Sequence, residues 1–308
     1  MTIAAGFCTD KGILLCADSQ YTGGAKVNQQ KLFGYTILQP GFDTINVTFA
    51  LAGHEIYGKM AIENCVDALQ SCKPKELTLR KARHLLRTAV KDIHEQYVDT
   101  RPDPVEKDNA RFELVIGCWL PQGGGLKLFR TNGPGVVSGG DYYCVGIGAY
   151  LGDYLMRNVF NRSMSIREVA LLAIQALAAA KAYDANCGGE SQFLVIHSDG
   201  ELGSLIEYNN IQQVETYIAD FEKLTRTLLF NLADFSLGLR ELASTSDQKF
   251  EEMLAKFVDS IRGMRKLWIG QGFNFFAKLL EQFNAQVKSS PESTTLDPSA
   301  QPPSQESP

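Results

Sequence analysis

The feature that most constrains this chain is its opening stretch, MTIAAGFCTDKGILLCADSQYTGGAKVNQQK. Two apolar, β-prone runs, residues 2–8 and 12–17, flank Thr9-Asp10-Lys11-Gly12, which reads as a hairpin turn. Thr2 heads the first run. A small residue after Met1 favours removal of the initiator, so Thr2 is expected to become the N-terminus, with a hydroxyl and a free α-amine on one residue. A hydroxyl is a weak nucleophile at neutral pH without a base in reach, and an α-amine titrating at about 7.7–8.0 can be that base. Asp18 follows the second run, and antiparallel pairing returns its carboxylate to the start of the first. A cation near the amine disfavours its protonation. Lys31 is the first candidate for that cation and Lys26 the second, with Asp18 orienting the lysine through charge-assisted hydrogen bonds.

Further along lie Phe49-Ala50-Leu51-Ala52-Gly53-His54, Tyr183-Asp184-Ala185-Asn186-Cys187-Gly188-Gly189 and Ser198-Asp199-Gly200. With the opening stretch, these resemble the proteasome β-subunit and HslV family of N-terminal nucleophile hydrolases, in the right order over about residues 2–208. The resemblance implies that the Gly53 N–H holds an oxyanion and that Asp184 lies beside the terminal threonine, within an Asp-x-x-Ser-Gly motif. It departs from the family at three places, one being that the segment from Asp18 to Lys31 is a few residues shorter than in the family. Ile147 stands where the family has a hydroxyl within Gly-Ser-Gly, and Cys187 replaces the motif's serine, where packing is the expected role.

Elsewhere the patterns are ordinary. A net charge of −5 argues against nucleic acid or an anionic membrane as the main partner, since both want a basic face. No apolar run has the length of a membrane span, and the start lacks a secretion signal, so the expected location is the cytoplasm. Seven cysteines without a Cys-x-x-Cys pair read as reduced, buried thiols. Four scattered histidines have no metal spacing, and Gly123-Gly124-Gly125 lacks the strand-to-helix context of a phosphate loop. No cofactor is expected.

Strands are expected at 33–38, 44–51, 111–120, 126–129, 142–145, 191–197 and 204–208, and helices at 54–71, 77–99, 149–160 and from the Ser165-x-x-Glu168 capping box to Tyr183. Strand blocks alternating with helix pairs, joined by short hairpins, predict an α+β fold, a four-layer α/β/β/α sandwich over residues 1–210. Residues 211–287 read as a helical extension, in two helices at 211–243 and about 247–287. Its large apolar residues need cover, expected from an adjacent copy in a ring or stack. Residues 288–308 are Ser-, Pro- and Thr-rich and read as a disordered tail. The expected activity is that of a threonine-type peptidase or amidase acting on peptide or protein through an acyl-enzyme. A catalytically silent scaffold or assembly subunit and a small-molecule amidase remain as alternatives, and the sequence does not say whether an unfoldase feeds it.

Overall fold

The computed structural model describes residues 3–23, 25–38, 44–73, 76–121, 124–203, 205, 211–212, 214–223, 225–226, 229 and 246–267. The opening hairpin forms as read: β1 (Ile3–Thr9) and β2 (Gly12–Asp18) are antiparallel, with Ala4 opposite Ala17 and Thr9 opposite Gly12. β3 (Gln20–Gly23) and β4 (Ala25–Asn28) make a small separate ribbon. β5 (Leu32–Ile37), β6 (Ile45–Gly53), β7 (Phe112–Leu120), β8 (Gly125–Asn132) and β9 (Gly135–Ser138) form a five-stranded antiparallel sheet in sequence order. β10 (Tyr142–Gly146) and β11 (Ser191–His197) flank the hairpin, giving a second sheet ordered β10-β1-β2-β11. In it Ile3 lies opposite Gly146, and Ser191 opposite Asp18.

Residue alternation sorts these strands into layers. Ile3, Ala5 and Phe7 of β1 join Leu14 and Cys16 of β2 in a core shared with α4 (Ala149–Met156) and α5 (Ile166–Tyr183). Ala4, Cys8, Ile13, Leu15 and Ala17 instead meet Leu32, Ala50, Ala52 and Val115 between the sheets. Both faces of β1 and β2 are buried, which is why these strands read as unbroken apolar runs. The outer face of the five-stranded sheet packs on α1 (Glu55–Gln70) and α2 (Leu79–Ile93) through Phe49, Leu51, Leu86, Val90 and Ile116. The result is the four-layer α/β/β/α order. No helix among the described residues is long and apolar enough to cross a membrane.

The differences from the sequence reading have local causes. The long helix expected at 77–99 ends its α-helical part at Ile93 and continues as a π-helical turn, His94–Val98. The sequence pattern places no helix between residues 99 and 111, yet α3 spans Pro104–Ala110. The Asp103 carboxylate accepts the Val105 N–H at 2.7 Å, and Pro104 fills a first-turn position whose N–H has no helical partner. The expected strand at 204–208 falls mostly outside the described residues; a single bridge joins Ile196 and Leu202.

In the C-terminal region, residues 211–212 and 214–223 are helical, and α6 spans Ser246–Leu267. The rest of the two expected helices and the tail 288–308 lie outside the described residues. Ile211 and Val214 are buried in the α5-side core, with Ile218 packed against it. Lys181 of α5 is 2.8 Å from Glu215 and from the Ser191 hydroxyl of β11. The extension therefore begins docked on its own sandwich through Ile211 and Val214. Counting helices from sequence assumes that two of them fill the α5-side layer; Ile211 and Val214 show that the layer takes a third segment.

Candidate active site

Asp18 ends β2 with its side chain wholly buried and satisfied from three directions. Its Oδ1 accepts the Ile3 N–H at 3.2 Å and the Lys31 ammonium at 2.8 Å, while Oδ2 accepts the Gly188 N–H at 2.8 Å. The amide joining residue 2 to Ile3 is thus bonded to this carboxylate. Thr2 and Met1 themselves lie outside the described residues.

Lys31 precedes β5 and is equally buried. Its backbone is fixed on both sides: its N–H donates to Gln192 Oε1 at 2.8 Å, and its carbonyl accepts the Leu51 N–H at 3.0 Å. Its Nζ donates to the Gln20 carbonyl as well as to Asp18, and lies 4.7 Å from the centroid of the Tyr21 ring. Lys26 is exposed and donates to the Ala185 carbonyl at 2.9 Å. Of the two lysines, Lys31 is the one paired with Asp18. Burial is the largest influence on both members of the pair: it pushes the Asp18 carboxyl above 3.8 and pulls the Lys31 ammonium below 10.5, each against the attraction of the other.

The segment after α5 delivers the third donor. Asp184 caps α5, and its Oδ1 accepts the Asn186 N–H at 2.8 Å and the Asn186 side-chain amide at 3.0 Å. Its carbonyl accepts the Cys187 N–H at 2.9 Å, so the tight turn brings the Gly188 N–H to Asp18. Cys187 is buried, and burial foremost, then the nearby Asp18 and Asp184, raises its thiol to about 12. A thiol so held is not a nucleophile at neutral pH. A methyl group at Gly148 would lie 2.9 Å from Ile3 Cβ and 3.2 Å from Cys187 Sγ, so these three positions pack closely.

Gly53 ends β6 with φ of +93°, in the left-handed region that glycine tolerates, and any side chain there would overlap the Arg111 carbonyl. That carbonyl accepts the His54 N–H at 2.8 Å. Gly53, Gly146 and Ile147 all line one cavity of about 700 Å³. Ile147 presents no hydroxyl to it and packs against the α5-side core. Gln20, Tyr21 and Gln192, which hold Lys31, were not singled out from the sequence; their types are common, and only the fold brings them to the lysine.

No protein-family model matches the chain, and no curated protein matches it. Among solved structures it is similar to a Gly-1 mutant of Anbu from Hyphomicrobium sp. strain MC1, with a TM-score of 0.60 at 14% identity over 74% of this chain and 97% of that one. It is also similar to Anbu, described as an ancestral beta-subunit, from Yersinia bercovieri, with a TM-score of 0.57 at 14% identity over 71% and 93% of the two chains. A third is the helical assembly of the Anbu complex from Pseudomonas aeruginosa, with a TM-score of 0.58 at 13% identity over 73% and 96%. These findings correct the kinship drawn from the sequence: the motifs pointed to proteasome β-subunits and HslV, whereas the structures matched are Anbu proteins. At this identity the likeness speaks for architecture, and it gives the chain the proteasome-like fold of Anbu.

Proposed function

We propose that this protein is a hydrolase of peptide or amide bonds that uses Thr2, freed by loss of Met1, as its nucleophile. The observation that carries the reading is the buried Asp18–Lys31 pair, bonded through Asp18 to the amide of Ile3. In this reading the Thr2 hydroxyl attacks the substrate carbonyl and its α-amine takes the proton. The Lys31 ammonium keeps that amine unprotonated at neutral pH, and Asp18 positions Lys31. The Gly53 N–H stabilises the oxyanion. Collapse of the tetrahedral adduct returns the proton to the leaving amine and leaves an ester on Thr2, which water then hydrolyses. Asp184 shapes the turn that carries Gly188, and Cys187 packs beside the terminus.

The decisive experiment is the intact mass of the purified protein after exposure to a hydroxyl-directed electrophile. The expected result is loss of Met1 and one adduct, both adduct and turnover being absent from Thr2→Ala at unchanged melting temperature. Retention of Met1 on essentially all molecules would sink the reading.

A second reading, a catalytically silent assembly subunit, is favoured by Ile147 in place of a hydroxyl. Self-association belongs to both readings. Phe221, Leu229, Leu254 and Val258, all in the region after the sandwich, are 36–59% exposed, and an Anbu structure is a helical assembly. We take residues 1–210 as the sandwich, 211–287 as its helical extension and 288–308 as a tail. Light scattering should show an oligomer that shrinks or precipitates when 211–308 is deleted and is unchanged when only 288–308 is removed.

A further inference from the structure

The cavity at the Gly53 end of β6 has an electrostatic character that the proposed chemistry does not use. Glu113, second in β7, follows the alternation that places Val115 between the sheets, and its Oε2 accepts the Gly146 N–H of the opposite sheet at 2.8 Å. Gly146 lies opposite Ile3, so this carboxylate stands beside the strand end that carries Thr2. Two cations also line the cavity, and each is already matched: Lys107 is 2.8 Å from Asp99, and Arg111 is 3.0 Å from Asp108. Among the described residues no ion pair reaches Glu113, so the lining carries one uncompensated negative charge.

His94 supplies a second, independent observation. It lines the same cavity, is only 3% exposed, and its Nε2 is buried with no hydrogen-bond partner among the described residues. A buried imidazole nitrogen without a partner is costly unless something else satisfies it. Burial lowers the proton affinity of His94, which keeps the ring neutral and leaves the negative charge of Glu113 uncancelled.

We infer that this cavity is a specificity subsite for a cationic substrate group, a lysine or arginine side chain or a free amine close to the scissile bond. Glu113 receives the cation, and the neighbouring His94, disfavoured by burial from carrying a charge, does not oppose it. An acidic group there would face Glu113, while the two cations of the lining are already paired with Asp99 and Asp108. The inference rests on the hydrolase reading for its meaning, since it names the substrate class of that site.

The test uses full-length Thr2→Ala, in which binding is uncoupled from chemistry. Peptide amides carrying lysine, norleucine or glutamate at each position in turn are titrated by fluorescence anisotropy. One position should favour lysine over norleucine by roughly tenfold, the scale of one hydrogen bond to a charged group, and disfavour glutamate. Glu113→Gln, which keeps an acceptor for Gly146, should erase the preference, and Glu113→Lys should turn it toward glutamate. A scan without lysine preference, or a preference that persists in Glu113→Gln, overturns the subsite. Electrophile labelling of the wild type separates the two ideas: labelling with a flat scan rejects the subsite alone, whereas a lysine preference without labelling rejects the hydrolase reading and leaves a cation-binding cavity.

Discussion

Two ion pairs inside this molecule look alike in chemistry and differ in what surrounds them. Asp18–Lys31 and Lys181–Glu215 both close at 2.8 Å, but the first pair is wholly buried and the second keeps 16% of each side chain exposed. The first is enclosed by backbone donors from Ile3 and Gly188, the Gln20 carbonyl and the Tyr21 ring, and it lies beside the chain's first strand. The second joins α5 to the segment that leaves the sandwich, with the Ser191 hydroxyl as the third member. A fully dry pair opposes its own ionisation, so its desolvation cost offsets much of what it contributes to the fold. A pair that still touches water holds two elements in register at little desolvation cost.

This contrast can be broken by mutation. The largest effect is expected from Lys31→Met, which leaves Asp18 buried without its cation. Stability should fall by about 3–5 kcal/mol in chemical denaturation, the usual cost of orphaning a buried charge. Electrophile labelling of Thr2 at pH about 7 should fall at least tenfold in protein that remains folded. Loss of a nearby positive charge raises the pKa of the α-amine, so the acidic limb of the labelling profile should move to higher pH, tenfold in rate for each unit. An unmoved limb would reject the tuning role of Lys31. Asp18→Asn combined with Lys31→Met should recover most of the stability and none of the labelling.

Lys181→Met should have a smaller effect, about 1–2 kcal/mol, because its partners can rehydrate. Labelling should stay at the wild-type rate while limited proteolysis near residue 211 accelerates. If labelling collapses as well, the two pairs are not separable in function.

The smallest effect concerns pH. The folded-state pKa of Asp18 lies above its ordinary 3.8, so between that value and the raised one the native protein holds more protons than the unfolded chain. The contribution of Asp18 to stability therefore grows as pH falls through that window. Lys31, lowered from 10.5, has the opposite slope at the alkaline end, where its contribution grows as pH rises. The melting temperature of the wild type should rise, relative to that of the double variant, as pH falls toward 3.8. The reverse trend would mean that the three donors around Asp18 outweigh its burial.

The sequence alone determined the parts of this protein that rest on short-range rules. The Thr9–Gly12 turn sets the β1–β2 pairing, and the pairing brings Asp18 to Ile3, because antiparallel register is fixed by the turn that closes it. Ser165 and Glu168 cap α5 reciprocally, as their spacing says. Alternating strand blocks and helix pairs gave the layers, since each amphipathic element needs one cover. Tertiary structure decided the rest. Lys31 and Lys26 are both near Asp18 in sequence, and the path of the β3–β4 ribbon selects Lys31 for the buried partner while Lys26 reaches Ala185. Glu113 looks like an ordinary polar residue at a strand end until the second sheet sets Gly146 against it. Ile211 and Val214 look unpartnered until the α5-side core is seen to have space for them. Each of these depends on how far apart two sheets or two layers settle, a distance set by the summed volumes of many side chains and carried by no local pattern.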